Sequence, residues 1–538
     1  MDSSHVYKPT CQLNFTEPAF QQRSTTIIAT ISQASQNLEI LKKMIYAGMR
    51  IARLNCSQDS QESHAKTINL LREACDQCSQ QLGYTIQIAL ALETKGREIR
   101  TGFLATGPNT EIELKANDSI RLTTNSYMID KGNKDSIYVD YENILDILLP
   151  GNVVFINDGA LKLEVKKLGA NYLTCQVLQG GMLGSHQKVI LAGVKVDLAV
   201  VSEKDLSDIK FAVAHNVDMV FASSMRNVEN VQEIRSLLGE KAKDIKLLAK
   251  CDSLEGLENI EDLASAADGI LLDRIDIGME IPAAKIFLAQ KAIATLCNLL
   301  GKPFVIASQL LASMRQKSQP LRTEVADLGN AILDGVDCVV LSAETAVGKY
   351  PVECVAAMDG IIREFELALP YTKVRSSDVL FTNPSIMDAV HTLSISAVEA
   401  AKSTMATAIV VLTTSGRSAH LLAHYRPSCP ILAVTRCSRT FKQCYLHRGV
   451  IPVLYKDKPN TNWMENVDAR IQYALNIGKR MQIINTGDTV LIMSPWKEGA
   501  GFANNLRVVY AFFEEDKMDY MLKTDGMSTN KRSHSLKR

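Results

Sequence analysis

From residue 25 to 370 the chain alternates short β-branched apolar runs with longer amphipathic segments. TTIIATI leads into NLEILKKMIYAG, RIARLN into a helical pattern over 61–82, and TIQIALAL, after a long interruption, into EKDLSDIKFAVAHN. DMVFAS, IKLLAKC, GILL, PFVIAS and CVVLSA are each followed by a stretch with apolar positions spaced three and four apart. Runs that lack period-two alternation are buried on both faces, and the intervening helices impose parallel pairing. Eight such units predict an α/β chain built on a (β/α)8 TIM barrel.

The interruption, 97–200, has another texture. Short alternating strands (EIELKAN, SIRLTTN, LKLEVKKLGANYLTCQVLQGG) are separated by Gly, Asn and Asp, which predicts an inserted all-β domain, a small β-barrel placed as a lid. The barrel then comprises 23–96 and 201–370, after an N-terminal segment 1–22. Over 371–511, helix SIMDAVHTLSISAVEAAKS, strands AIVVLT, ILAVT, GVIPVLY, DTVLIM and NLRVVYAFF, and a helix over 463–480 predict a C-terminal three-layer α/β domain. The polar, basic 512–538 reads as a disordered tail.

A chain of 538 residues calls for several domains. Its 59 basic residues balance 59 acidic ones, so no global field draws it to nucleic acid or an anionic membrane. The polar start carries no secretory pattern and no apolar run spans a bilayer, so a soluble, cytoplasmic protein is expected. Most of the cysteines lie in apolar runs and read as buried thiols; Cys75 and Cys78 form a CxxC without a second pair.

Candidate chemistry collects at the carboxyl ends of the barrel strands. The second ends in Arg53, Asn55 and Ser57, and the third in Glu93, Thr94 and Lys95 with Arg100 beyond. The fifth ends in Lys250 and Asp252, the sixth in Arg274 and Asp276, the seventh in Ser308 and Gln309. Carboxylates from adjacent strands suit Mg²⁺, which keeps waters and takes substrate oxygens. Arg53, Arg100 and Lys250 around such an ion supply charge for a phosphoryl group in transfer.

The blocks ARLNCS, LETKGREIRTG, SEKD, DMVFAS, IDIGMEIP, NAILDGVDCVVLSAETA, TSGRSAH and YRPSCPILAVTR resemble, in order, those of pyruvate kinases, the animal enzymes above all. The resemblance implies a homotetramer, or a hetero-oligomer with related subunits, that moves phosphate from phosphoenolpyruvate to ADP, giving pyruvate and ATP in glycolysis, with Mg²⁺ and K⁺. It implies that Lys250 and Arg53 hold the phosphate and that Asp252 and Asp276 are Mg²⁺ ligands. Asn55, Ser57, Glu93 and Thr94 fall on K⁺ ligands, Arg100 on a nucleotide contact, and Ser308 at the substrate pocket near the proton given to enolpyruvate. Thr413, Thr414, Ser415, Gly416, Arg417 and Ser418 match a sugar bisphosphate effector loop, with Trp463, Arg470 and Lys497 as supporting contacts. Lys497 replaces an arginine and Ala500 a serine, which weakens some phosphate contacts.

Other departures fall in the site. Asp252 replaces glutamate and Glu93 aspartate, while Asp273 replaces alanine. Ile275 stands at a glycine whose backbone approaches substrate, which removes close approach and any φ > 0. At about 4 Å the extra charge of Asp273 costs an anionic substrate roughly 1–4 kcal/mol. His186 and Gln187 lack the lid lysines of the family. Two readings therefore stand: a pyruvate kinase of reduced efficiency, or an impaired pseudoenzyme that serves active relatives as a regulatory or structural subunit.

Overall fold

The computed structural model describes residues 22–107, 110–197, 201–368, 388–458, 462–499 and 502–513. The expected N-terminal segment up to 21, residues 369–387 with the start of the expected helix SIMDAVHTLSISAVEAAKS, Ala500 and the tail from 514 lie outside the described residues.

Eight parallel strands close on themselves: Thr26–Thr30, Met49–Asn55, Ala89–Glu93, Met219–Ala222, Lys246–Cys251, Gly269–Asp273, Phe304–Ala307 and Cys338–Leu341. Each pairs with its sequence neighbour, and the first pairs with the eighth through Thr26↔Cys338. The third is shorter than the run TIQIALAL, because Thr85–Ile88 precede the paired stretch. Side chains alternate between two cores. Ile28, Ile51, Ala91, Phe221, Leu248, Leu271 and Val305 fill the interior, and their neighbours pack against the surrounding helices.

Phe441, Tyr445 and Leu446 of the C-terminal unit join the interior core. The Cys338 thiol, at the start of the eighth strand, faces the Tyr445 and Leu446 carbonyls at 3.7 and 3.6 Å. The amino end of the barrel is therefore plugged, and the carboxyl end is the one left for chemistry. Cys75 and Cys78 are buried on helix Gln61–Leu82, where the Cys75 sulfur accepts the Ile88 N–H.

The insertion is all-β apart from short helical turns. Strands Ile99–Arg100, Lys188–Leu191, Val153–Ile156, Leu161–Leu168, Tyr172–Gln179, Ser119–Thr123 and Ser136–Tyr138 form one sheet in that order. A bridge between Thr101 and Val139 joins its two edges, with the Gly102 N–H on the Tyr138 carbonyl at 2.8 Å, and Ile120, Leu122, Leu163 and Cys175 are buried within. The C-terminal unit is a five-stranded sheet, antiparallel only at strand Asn505–Tyr510. Helices Ala389–Thr404 and Arg417–His424 share the core on one face and Trp463–Arg480 the core on the other, which makes three layers.

Helix Ala283–Leu300 is the most apolar of the long helices that surround the barrel. By length and composition it could cross a membrane, with a mean hydropathy of 1.3. Its Ile293, Ala294 and Cys297 nevertheless pack in the barrel's outer core, while Phe287 and Leu288 are exposed.

Candidate active site

At the carboxyl mouth of the barrel, side chains from four strands and the helix after the sixth form one buried charge network. Lys250 is its centre: the ammonium lies 2.9 Å from Asp273 Oδ2, 3.3 Å from Glu93 Oε1 and 3.4 Å from Asp276 Oδ2. Arg53 donates to Glu93 Oε2 at 2.5 Å and to the Thr30 hydroxyl at 2.9 Å. Burial works against the Lys250 charge, yet Asp273, Glu93 and Asp276 outweigh it and hold the ammonium well above the usual lysine range. Glu93 is likewise pushed up by burial and brought below the carboxylate range by Arg53 and Lys250. Asp273 goes the same way, through Lys250 and a hydrogen bond from Ser308.

Asp273 has a second role: as N-cap of helix Arg274–Glu280, it accepts the Ile275 N–H at 3.2 Å. Ile275 therefore sits in the first helical turn and is not among the positive-φ residues. A helical residue requires no glycine, and only close approach remains as a reason for one.

Asp252, just past the fifth strand, and Asp276, in the first turn of the helix after the sixth, approach the same space. Asp252 accepts the Ser224 N–H at 3.0 Å. Burial drives its carboxyl up to about 6; Lys250 opposes that and the neighbouring Asp276 carboxylate adds to it. A divalent cation would relieve such a pair, so the two carboxylates fit the acidic half of a Mg²⁺ site. Among the described residues no group of three or more His, Cys, Asp or Glu could hold a metal alone. The K⁺ set fits less well. Both Glu93 oxygens are engaged by Arg53 and Lys250, the Asn55 side-chain Oδ1 accepts the Ser57 N–H at 3.0 Å, and the Thr94 backbone carbonyl accepts the Ser223 hydroxyl at 2.7 Å.

Ser308 and Gln309 end the seventh strand with φ of +72° and +54°. Such left-handed residues are costly unless their surroundings over-determine them. Arg274 does so, donating to the Ser308 carbonyl at 3.1 and 3.0 Å and the Gln309 carbonyl at 2.7 Å, while pairing with Asp327 at 2.7 Å. Arg100 lies on the lid edge, paired with Glu98 at 2.5 Å and donating to the His186 carbonyl at 2.8 Å. Sequence reasoning missed Lys188, the lid residue aligned with Arg100, whose ammonium reaches Asp276 Oδ1 at 2.7 Å. A lysine on an alternating lid strand gives no signal of that reach.

The loop after strand Ala408–Leu412 enters helix Arg417–His424 through Gly416 at φ +86°. Its Gly416 N–H is already taken by the Thr413 hydroxyl at 3.0 Å, the Thr414 carbonyl accepts from Thr440 at 2.9 Å, Arg417 pairs with Asp388, and Ser418 is buried. Ser415 lies in the same turn. The expected supporting residues are engaged elsewhere. Trp463 packs in the opposite-face core, Arg470 bonds the Asn466 carbonyl at 3.2 Å, and the Lys497 ammonium lies 4.7 Å from the centre of the Trp496 ring.

Two family patterns match the chain: pyruvate kinase, barrel domain, over residues 22–355, and pyruvate kinase, alpha/beta domain, over residues 391–509. The human protein named pyruvate kinase PKLR is 43% identical over 500 residues, covering 93% of this chain and 87% of the relative. A Candida albicans pyruvate kinase is 39% identical over 499 residues, covering 92% and 97%.

Proposed function

The chain belongs to the pyruvate kinase family, and from that premise we propose that its barrel mouth transfers phosphate from phosphoenolpyruvate to ADP at a reduced rate. The observation that carries the reduced rate is the 2.9 Å contact between Asp273 and Lys250. Lys250 and Arg53 are the cations that would hold the phosphate, and in the resting site both are neutralised by protein carboxylates. Substrate must therefore compete with Asp273 and Glu93 for them, which taxes binding before any chemistry.

In the reaction the bond between phosphorus and the enol oxygen breaks, a β-phosphate oxygen of ADP takes the phosphoryl group, and enolpyruvate gains a proton on carbon. Lys250 and Arg53 orient the phosphoryl group and stabilise its charge. Arg100 faces the nucleotide from the lid. Ser308, held against Asp273, lies toward the substrate on the side of the proton. Mg²⁺, held by Asp252 and Asp276, would supply charge neutralisation to the phosphate oxygens when bound. Asn55, Ser57 and the Thr94 carbonyl remain for K⁺, with Glu93 committed to cations of the protein.

The exposed Phe287, Leu288, Leu299 and Leu300 on helix Ala283–Leu300 support assembly with like or related subunits, in keeping with a cytoplasmic homotetramer. The loop over Thr413–Ser418 is the place for a sugar bisphosphate effector. The pseudoenzyme reading keeps one specific support: the same carboxylates that neutralise Lys250 could silence it fully. A coupled assay with phosphoenolpyruvate, ADP, Mg²⁺ and K⁺ separates the two. Turnover above a Lys250→Met control supports the kinase, and turnover equal to it leaves the binding subunit.

A further inference from the structure

Strand Lys188–Leu191 alternates half-buried Lys188 and Ile190 with buried Val189 and Leu191. Val189 and Leu191 enter the lid core, so Lys188 faces the other way, toward the barrel. Its ammonium meets Asp276 Oδ1 at 2.7 Å and Glu98 Oε1 at 3.6 Å. Asp276 lies in the first turn of barrel helix Arg274–Glu280. Among the described residues three other polar contacts join lid to barrel. The Gly193 N–H reaches Glu280 at 3.3 Å, Arg226 reaches the Val196 carbonyl at 2.7 Å, and exposed Lys195 lies 3.6 Å from Glu258. Of these four contacts, that of Lys188 alone falls on a carboxylate assigned to the metal.

We propose that Lys188 is a lid-borne latch that competes with the divalent cation for Asp276. The proposal rests on the reading of Asp276 as a metal ligand. Lys188 and Lys250 contact the two oxygens of that carboxylate separately. Mg²⁺ needs its oxygen ligands at about 2.0–2.1 Å, and an ammonium hydrogen-bonded to the same oxygen faces it with like charge. Metal entry therefore displaces Lys188 and loosens the lid, and lid docking in turn weakens metal binding by the same factor. The ion pair is well suited to this work, because it is mostly buried and so little screened, yet it lies at a domain boundary where it can break. Lys188 acts through Asp276 and is a positioning residue.

The test uses the full chain and Mn²⁺ alone, titrated by calorimetry or electron paramagnetic resonance, with hydrogen exchange of strand 188–191 as the reporter of lid docking. Lys188→Gln should bind Mn²⁺ about tenfold more tightly and lose protection at the lid edge without metal. Lys188→Arg, which keeps the charge, should stay near the parent in both readouts. Lys195→Ala loosens the rim without touching Asp276 and should leave Mn²⁺ affinity unchanged. Unaltered Mn²⁺ affinity in Lys188→Gln overturns the latch, as does equal tightening in Lys195→Ala. Asp276→Asn separates the two readings: loss of Mn²⁺ binding there supports the ligand assignment whatever Lys188 does. Retained binding removes that assignment and the latch with it.

Discussion

Asp273 Oδ2 lies 2.9 Å from the Lys250 ammonium, nearer than the Glu93 or Asp276 oxygens at 3.3 and 3.4 Å. The carboxylate is therefore more than a distant repulsive charge: it occupies the cation that a phosphate needs. Asp273→Asn removes the charge while keeping an oxygen for the Ile275 N–H. It should raise kcat/KM for phosphoenolpyruvate by about tenfold or more, the effect of roughly 1.4 kcal/mol. Asp273→Ala should give a similar gain but lose about 0.5–2 kcal/mol of stability with the cap, visible as a lower urea midpoint. No gain in either variant sinks the competition account.

Ile275 makes a contrasting prediction. Its place in the first turn of helix Arg274–Glu280 means that glycine there adds flexibility without relieving a strained backbone. Ile275→Gly alone should cost about 0.5–1 kcal/mol of stability through helix propensity. It should also leave kcat/KM within about threefold of the parent, since the phosphate cations stay occupied. The double variant with Asp273→Asn should then match Asp273→Asn alone. A large gain from Ile275→Gly by itself would show that close backbone approach, not competition for Lys250, limits the site.

The barrel was legible because its strands are apolar on both faces and its helices carry a 3.6-residue stripe, so period alone separates GILL from AKIFLAQKAIATLCNLLG. The charged ends of those strands were legible for the same reason, since the apolar runs give way to polar and charged residues at Asn55, Glu93, Lys250 and Asp273. What stayed hidden was pairing between elements far apart in the chain. Nothing in the order of residues tells that Lys188 crosses from the lid to Asp276, or that Asp273 both caps a helix and holds Lys250. That Ile275 falls in an ordinary helical turn was hidden as well, because that turn is set by the Asp273 cap.

Arg274 holds two left-handed residues in place, and the geometry of its fork matters more than its charge. Its guanidinium serves the Ser308 and Gln309 carbonyls and Asp327 at once. A lysine ammonium cannot span all three. Arg274→Lys should lower kcat by about a hundredfold, the scale on which small displacements of positioning groups act, with a smaller change in KM. Steady-state kinetics on folded protein checks this, and an unchanged kcat would show that Ser308 and Gln309 keep their geometry unaided.

Phe287 and Leu288 are 56% and 57% exposed on a helix whose other face is packed on the barrel. If that apolar surface is covered by another subunit, Phe287→Glu combined with Leu288→Lys should produce a smaller species in sedimentation velocity. Folding should be spared, because surface changes outside packed features shift stability by about 0.5 kcal/mol or less. An unchanged sedimentation coefficient would move the interface elsewhere.

The last prediction concerns acid. Where the C-terminal unit meets the barrel, His420 and His447 stack at 4.3 Å, and the His424 Nε2 is buried with no hydrogen-bond partner. Burial first, and then His420, bring His424 down to about 4. Its folded form therefore stays neutral where the unfolded chain, near 6.5, takes a proton. Between those values the unfolded state binds more protons, so stability falls as pH drops from about 6.5 and the loss is complete below about 4. For His424 alone the linkage is on the order of 3 kcal/mol. His447 and His420 are displaced in the same direction by burial and add to the slope. Thermal melts from pH 7.5 to 4.5 should show a decline in the parent that is shallower in His424→Gln, which cannot be protonated there. Identical slopes in the two proteins would place the acid sensitivity outside this junction.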